Sequence, residues 1–148
     1  NNGQRPISVT AVTQQLKPLI YPKVDDEATV ILEYPNSQSI IQASWNWSFG
    51  RKDMEVYTER GFLHQKNKFD LGIRPNEKSK EEAVTLPELP KNYNDSFRYL
   101  KAVIRGDIKE KPSDLSALEN NMVVMEILQA AMISAKEGRT VLLSEFGE

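Results

Sequence analysis

The sequence predicts an α+β fold: a large open sheet of about six to eight strands, mostly antiparallel or mixed, with helices packed on one face. Three observations predict it. Val24 to Leu63 reads as a run of strands joined by tight turns, and links that short require antiparallel neighbours, because parallel neighbours need crossovers of about a dozen residues or more. Strand-like segments come first and helix-like segments follow, which is the order of an α+β chain rather than a doubly wound one. Apolar residues alternate along the strands, so one face of the sheet is apolar and calls for helices over it.

The elements follow in order. Ile7 to Lys17 alternates and reads as a strand, ended by Pro18. Pro18 to Lys23 is a proline loop with an exposed-looking Tyr21. Glu27 to Tyr34 is rich in β-branched and aromatic residues, which suit a pleated, half-buried surface. Its Ala28, Val30, Leu32 and Tyr34 share one face; Thr29, Ile31 and Glu33 share the other. Pro35-Asn36-Ser37 is turn chemistry. Gln38 to Trp47 is the next strand, with Ile41, Ala43, Trp45 and Trp47 on one side. Ser48-Phe49-Gly50 breaks it. Lys52 to Thr58 is a strand, Glu59-Arg60-Gly61 a turn, and Phe62-Leu63 opens another strand. His64 to Lys68 and Phe69 to Ile73 suggest a further hairpin. Arg74 to Glu82 is a charged loop, Ala83 to Leu86 a short edge strand, and Pro87 and Pro90 bracket a linker.

The helices are equally readable. Asn94-Asp95-Ser96 supplies an N-cap, because short oxygen side chains accept bonds from the first turn's free N–H groups. That helix runs to about Arg105 and stops at Gly106-Asp107. A long helix opens near Ser113 to Ser116, where Ser116-x-x-Glu119 fits a capping box. Its stripe of Val124, Leu128, Ala131 and Ala135 beside Val123, Ile127, Ala130 and Ser134 suits packing on a sheet. Gly138 is the expected terminator, and Thr140 to Leu143 returns as a strand.

Composition bounds the function. The 148 residues read as a single domain over 1–148. The net charge of −2 offers no basic excess for nucleic acid or an anionic membrane. There is no cysteine, hence no disulfide framework and no thiolate chemistry. No apolar run approaches the ~20 residues of a membrane span. A soluble chain is expected, in the cytoplasm or the periplasm. The polar start Asn1 to Pro6 lacks an initiator Met and a signal pattern, so a processed chain or a fragment is expected. None of the seven glycines is spaced as G-x-G-x-x-G or leads a strand into a helix, so no dinucleotide-binding turn is expected in this chain.

Several runs carry a family likeness: Val24-Asp25-Asp26-Glu27-Ala28-Thr29, Ala43-Ser44-Trp45, Gly50 through Tyr57 (GRKDMEVY), Leu115 through Asn121 and Ser134 through Thr140. Together they resemble the C-terminal domain of the glucose–fructose oxidoreductase / inositol dehydrogenase (Gfo/Idh/MocA) family. The resemblance covers nearly the whole chain. It implies a substrate-binding and oligomerisation domain of an NAD(P)-dependent oxidoreductase acting on a sugar or polyol. It also implies that NAD or NADP is held by the protein's own N-terminal Rossmann-type domain. The family's Glu-Lys-Pro motif and Asp/His pair are then expected upstream of Asn1, and this chain alone is not expected to turn over substrate. The alternative is a stand-alone sugar-binding or assembly module without a cofactor domain.

The substrate-binding candidates are Lys23, Asp25, Trp45, Trp47, Arg51 and Lys52. Trp45 and Trp47 read either as core or subunit interface, or as a stacking surface for a sugar ring. Arg51-Lys52-Asp53 is either a solvated charge cluster or a polar rim. In Lys23-Val24-Asp25-Asp26 the carboxylates either cap the strand entrance or pair with Lys23, or, as the resemblance implies, the loop borders the substrate cleft. His64, the single histidine, is assigned no role, because metal sites need several ligands. A broad sheet with one uncovered, partly apolar face predicts a homo-oligomer formed through that sheet with two-fold symmetry.

Overall fold

The computed structural model describes residues 4–67 and 69–147. Parts of the polar start, of the 64–68 run and of the tail (Asn1 to Gly3, Lys68 and Glu148) lie outside the described residues. The strands are β1 Ser8–Gln14, β2 Glu27–Tyr34, β3 Ser37–Ser44, β4 Met54–Tyr57, β5 Phe62–Gln65, β6 Leu71–Arg74, β7 Glu82–Val84 and β8 Val141–Leu142. The helices are α1 Ser96–Ile104 and α2 Leu118–Glu137, and a 3-10 turn follows at Leu143–Phe146. The α+β class is as expected. The strands, however, form two antiparallel four-stranded sheets rather than one, ordered β3-β2-β1-β8 and β4-β5-β6-β7. They belong to two compact units: residues up to Asn46 with those from Lys109 onward, and Trp47–Ile108.

In the first unit β1 and β2 pair so that Val9 lies opposite Leu32 and Ala11 opposite Val30. Opposed residues share a face, and this face holds the core: Val9, Ala11 and Leu32 meet Ala130, Ala131, Val141 and Leu143. Val30 and Tyr34 pack beside them. The predicted inward face of β2 is therefore the one that meets α2. The helix presents small residues there, and Val124 and Leu128 of the expected stripe are instead exposed.

Strand β8 pairs only with Ser8 and Val9 of β1. Beyond that point the edge of β1 has no strand partner among the described residues, and α2 substitutes for one: Ser134 Oγ, fully buried, accepts the Ala11 N–H at 2.8 Å. Gly138 ends α2 in the left-handed region at φ 65°, where a Cβ would be strained. Arg5 ties the chain start to the end, donating to Glu126 Oε2 at 2.6 Å and to Leu143 O at 2.8 Å.

Several expected boundaries shift, with β1 ending at Gln14, β4 starting at Met54 and β7 spanning Glu82–Val84, and two of the shifts have a visible cause. The capping box at Ser116 does not form: α2 begins at Leu118 with Ala117 at its N-cap and no side-chain cap bond. Asn121 Nδ2 donates to Leu115 O and Ala117 O, which fixes the entry instead. Strand β3 ends at Ser44 and not at Trp47, because Ser44 Oγ captures the Asn46 N–H at 3.0 Å. Trp45 and Trp47 consequently do not share a strand face.

The second unit is a meander with α1. Asp95 caps α1 as expected, its Oδ1 accepting the Arg98 N–H at 2.8 Å. Met54, Val56, Leu63, Leu71, Ile73 and Val84 fall on one face of the sheet by register. The other face carries Glu55, Tyr57, Phe62 and His64. Gly61 is required by close approach, since a Cβ there would stand 2.4 Å from Arg74 O.

Candidate functional site

The first unit holds a polar knot built on Asp26. Asp26, the residue before β2, is only 3% exposed. Its Oδ1 accepts the Leu16 N–H at 2.8 Å and the Asn46 amide at 2.9 Å, and its Oδ2 accepts the Lys17 N–H at 2.7 Å. Burial works against the charge, but these donors outweigh it and hold the carboxyl below the usual range. Its main-chain carbonyl accepts both the Trp45 N–H at 2.9 Å and the Asn46 amide at 3.0 Å. Asn46 Nδ2 thus faces oxygens only, Glu27 Oε2 included, so the amide cannot be reversed. Asn46 Oδ1 is buried and has no partner among the described residues.

Two aromatic rings flank the knot. Tyr21 lies against Trp45 with ring centroids 5.0 Å apart and planes inclined by 52°. Trp45 is nevertheless 61% exposed, so an indole face remains open. The loop carrying Tyr21 is held by Gln15 Nε2, which donates to Tyr21 O at 2.6 Å. Lys17 Nζ reaches Asn46 O at 3.5 Å.

The second unit holds a charged aromatic cluster. Arg51 grips Asp53 with both edges, Nε to Oδ1 at 2.6 Å and Nη2 to Oδ2 at 2.8 Å. The hydrogen bond and charge of each partner lower the Asp53 carboxyl and raise the guanidinium. The Arg51 guanidinium carbon stands 5.3 Å from the Trp47 ring centre, a cation–π contact. On the sheet, His64 sits between Glu55 and Glu81, each 3.8 Å from one ring nitrogen. Glu81 also binds Lys66 Nζ at 2.8 Å, the bond that mainly lowers its pKa. Its carboxyl lies over Gly72, where a Cβ would stand 2.6 Å away.

The six predicted residues therefore divide. Trp45 joins the Asp26 knot. Asp25 accepts the Thr13 hydroxyl at 2.5 Å, and Lys23 is exposed on the same loop. Trp47 and Arg51 form one contact in the second unit, and Lys52 is exposed beside them. Two open grooves of about 410 and 530 Å³ lie in the second unit, and none of the six lines either. Sequence reasoning expected the Asp25-Asp26 carboxylates at the strand entrance but did not single out Asp26, and it missed the roles of Tyr21 and Asn46. The one available signal was the doubled Asp25-Asp26 ahead of an apolar strand.

A family model described as "Oxidoreductase family, C-terminal alpha/beta domain" matches residues 3–143. The chain belongs to the Gfo/Idh/MocA oxidoreductase family. Solved Gfo/Idh/MocA-like structures share its fold. A proposed oxidoreductase from Thermotoga maritima superposes with a TM-score of 0.77 at 20% identity, over 95% of this chain and 41% of that one. A proposed NADPH-dependent oxidoreductase from Desulfitobacterium hafniense gives 0.74 at 16% identity, over 97% and 44%. An inositol dehydrogenase homolog from Azotobacter vinelandii, complexed with NADH and myo-inositol, gives 0.65 at 14% identity, over 93% and 44%. The chain spans less than half the length of each. No curated protein matches it.

Proposed function

We propose that this chain is the substrate-binding and oligomerisation domain of an NAD(P)-dependent oxidoreductase acting on a sugar or polyol. The observation that carries the reading is the exposed Trp45 face beside Tyr21, on a domain whose family is one of oxidoreductases. An aromatic face suits the C–H side of a sugar or cyclitol ring, and the neighbouring lysines and amides suit its hydroxyls. The inositol dehydrogenase homolog with bound NADH and myo-inositol supports this substrate class. Trp47 with Arg51, and Lys23, Asp25 and Lys52, are further substrate-facing candidates.

The complete protein moves a hydride between a substrate carbon and the nicotinamide, with NAD or NADP held by its own N-terminal Rossmann-type domain. The residues of this chain bind and orient the substrate and do not take its hydroxyl proton. The sheet face opposite α2 supports the oligomerisation role. It carries Val12 and Ile40, 62% and 63% exposed, around the half-buried Ile31. Such a patch fits a second copy of the chain under two-fold symmetry.

The test is nicotinamide reduction by the full-length protein with NAD and NADP against a panel of cyclitols and aldoses. Substrate-dependent reduction is expected with at least one pair. No reduction with any pair refutes the reading.

A further inference from the structure

We propose that Asp26 is a positioning residue that sets Tyr21 and Trp45 as one ligand platform; this rests on the substrate-facing role given to Trp45 above. The two rings come from distant segments. Tyr21 lies on the loop between β1 and β2, and Trp45 follows β3. Asp26 is bonded to both sides. Its carboxylate takes the Leu16 and Lys17 N–H groups, which start the Tyr21 loop. Its carbonyl takes the Trp45 N–H, and both its carbonyl and its carboxylate take the Asn46 amide. Within the loop, Ile20 and Tyr21 N–H groups both return to Lys17 O at 2.9 Å, so fixing Lys17 fixes the turn that carries Tyr21. Asn46 Nδ2 faces oxygens only, two of them on Asp26, so the Asp26 side orients this amide.

The consequence is a specific division of labour. Asp26 never faces the ligand, since it is buried. Trp45 supplies an open ring face, and Tyr21 supplies the inclined second wall that prevents the indole from turning away. The ligand is a neutral polyol ring, held by its C–H face on the indole with hydroxyls directed toward Lys17.

The experiment is calorimetric titration of the protein with myo-inositol as the probe, alongside near-ultraviolet circular dichroism for the Tyr21–Trp45 coupling. Asp26→Asn is expected to keep its far-ultraviolet spectrum, lose the near-ultraviolet signal and bind about tenfold or more weakly. Tyr21→Leu is expected to do the same, and Tyr21→Phe to bind like the parent. Tyr21 lies on a surface loop, so its variants test the platform even if Asp26→Asn fails to fold. In that case Asn46→Ala, which removes one of the three donors to the carboxylate, tests the clamp. Unchanged affinity in folded Asp26→Asn, in Asn46→Ala or in Tyr21→Leu overturns the proposal. If Trp45→Leu alone weakens binding, the substrate-facing reading stands and the Asp26 role falls. A parent protein that binds no polyol overturns both.

Discussion

Ser134→Ala removes one oxygen from the centre of the first unit. Ser134 is fully buried, and its Oγ accepts the Ala11 N–H at 2.8 Å. Ala11 is itself 6% exposed, so water does not replace the lost acceptor. A buried amide left unpaired costs about 1–3 kcal/mol. For a chain of this size each kcal/mol lowers the unfolding midpoint by about 2–4 °C. The expected result is a midpoint several degrees lower, read by far-ultraviolet circular dichroism. Hydrogen exchange at the Ala11 amide should quicken at the same time. Met132→Ala, on the exposed side of the same helix, is the control and is expected to stay within about 0.5 kcal/mol. If Ser134→Ala matches the control, and the Ala11 amide exchanges as slowly as before, the account of how α2 completes the sheet edge is wrong.

Gly61→Ala would place a Cβ 2.4 Å from the Arg74 carbonyl, and backbone rather than a side chain must yield. Denaturant unfolding should show a loss of about 1–3 kcal/mol. Acid unfolding follows from Asp26 and Glu145, both held below their ordinary values, by the Asp26 knot and by Arg139 with the Leu142 N–H. A depressed folded value gives stability that is complete above the ordinary range, pH 3.8 for Asp26 and 4.5 for Glu145, and is lost as pH falls through the lower folded values. Asp26→Asn should therefore reduce the acid dependence measured by thermal melts between neutral pH and about pH 3. Val12→Asp combined with Ile40→Asp should convert an oligomer to a monomer in light scattering, with the melting curve little changed. Unaltered mass would remove the sheet face as the interface.

Much of the fold was legible because it rests on local chemistry. The alternation of Val30, Leu32 and Tyr34, the Asp95 cap and the Gly138 terminator each depend on residues within a few positions. The strand count was also within reach. The division into two sheets was not, because alternation shows which face is buried and not which strand is a neighbour. The end of β3 was misplaced because Asn46 is held out of the strand twice, its N–H by Ser44 Oγ and its side-chain amide by Asp26, twenty residues earlier in the sequence. The capping box failed because α2 starts one residue late for it, with Ala117 rather than Ser116 at the N-cap.

The site divides the same way. Trp45 could be named as a candidate, with core or interface as its other reading, but on the expectation of a strand face shared with Trp47 that the end of β3 at Ser44 removes. Its partner could not, since Tyr21 reaches it only through the folded loop. Asp25 drew attention where Asp26 holds the structure. The two carboxylates differ in burial and in partners: Asp26 accepts the Leu16 and Lys17 N–H groups and the Asn46 amide, whereas Asp25 accepts the Thr13 hydroxyl.

The most direct test of the account is the kinetic effect of Trp45→Leu in the full-length protein. Its role as a wall for the substrate ring predicts a raised KM for the polyol with the nicotinamide KM unchanged. A polyol KM equal to that of the parent, or a change confined to the nicotinamide KM, would contradict it.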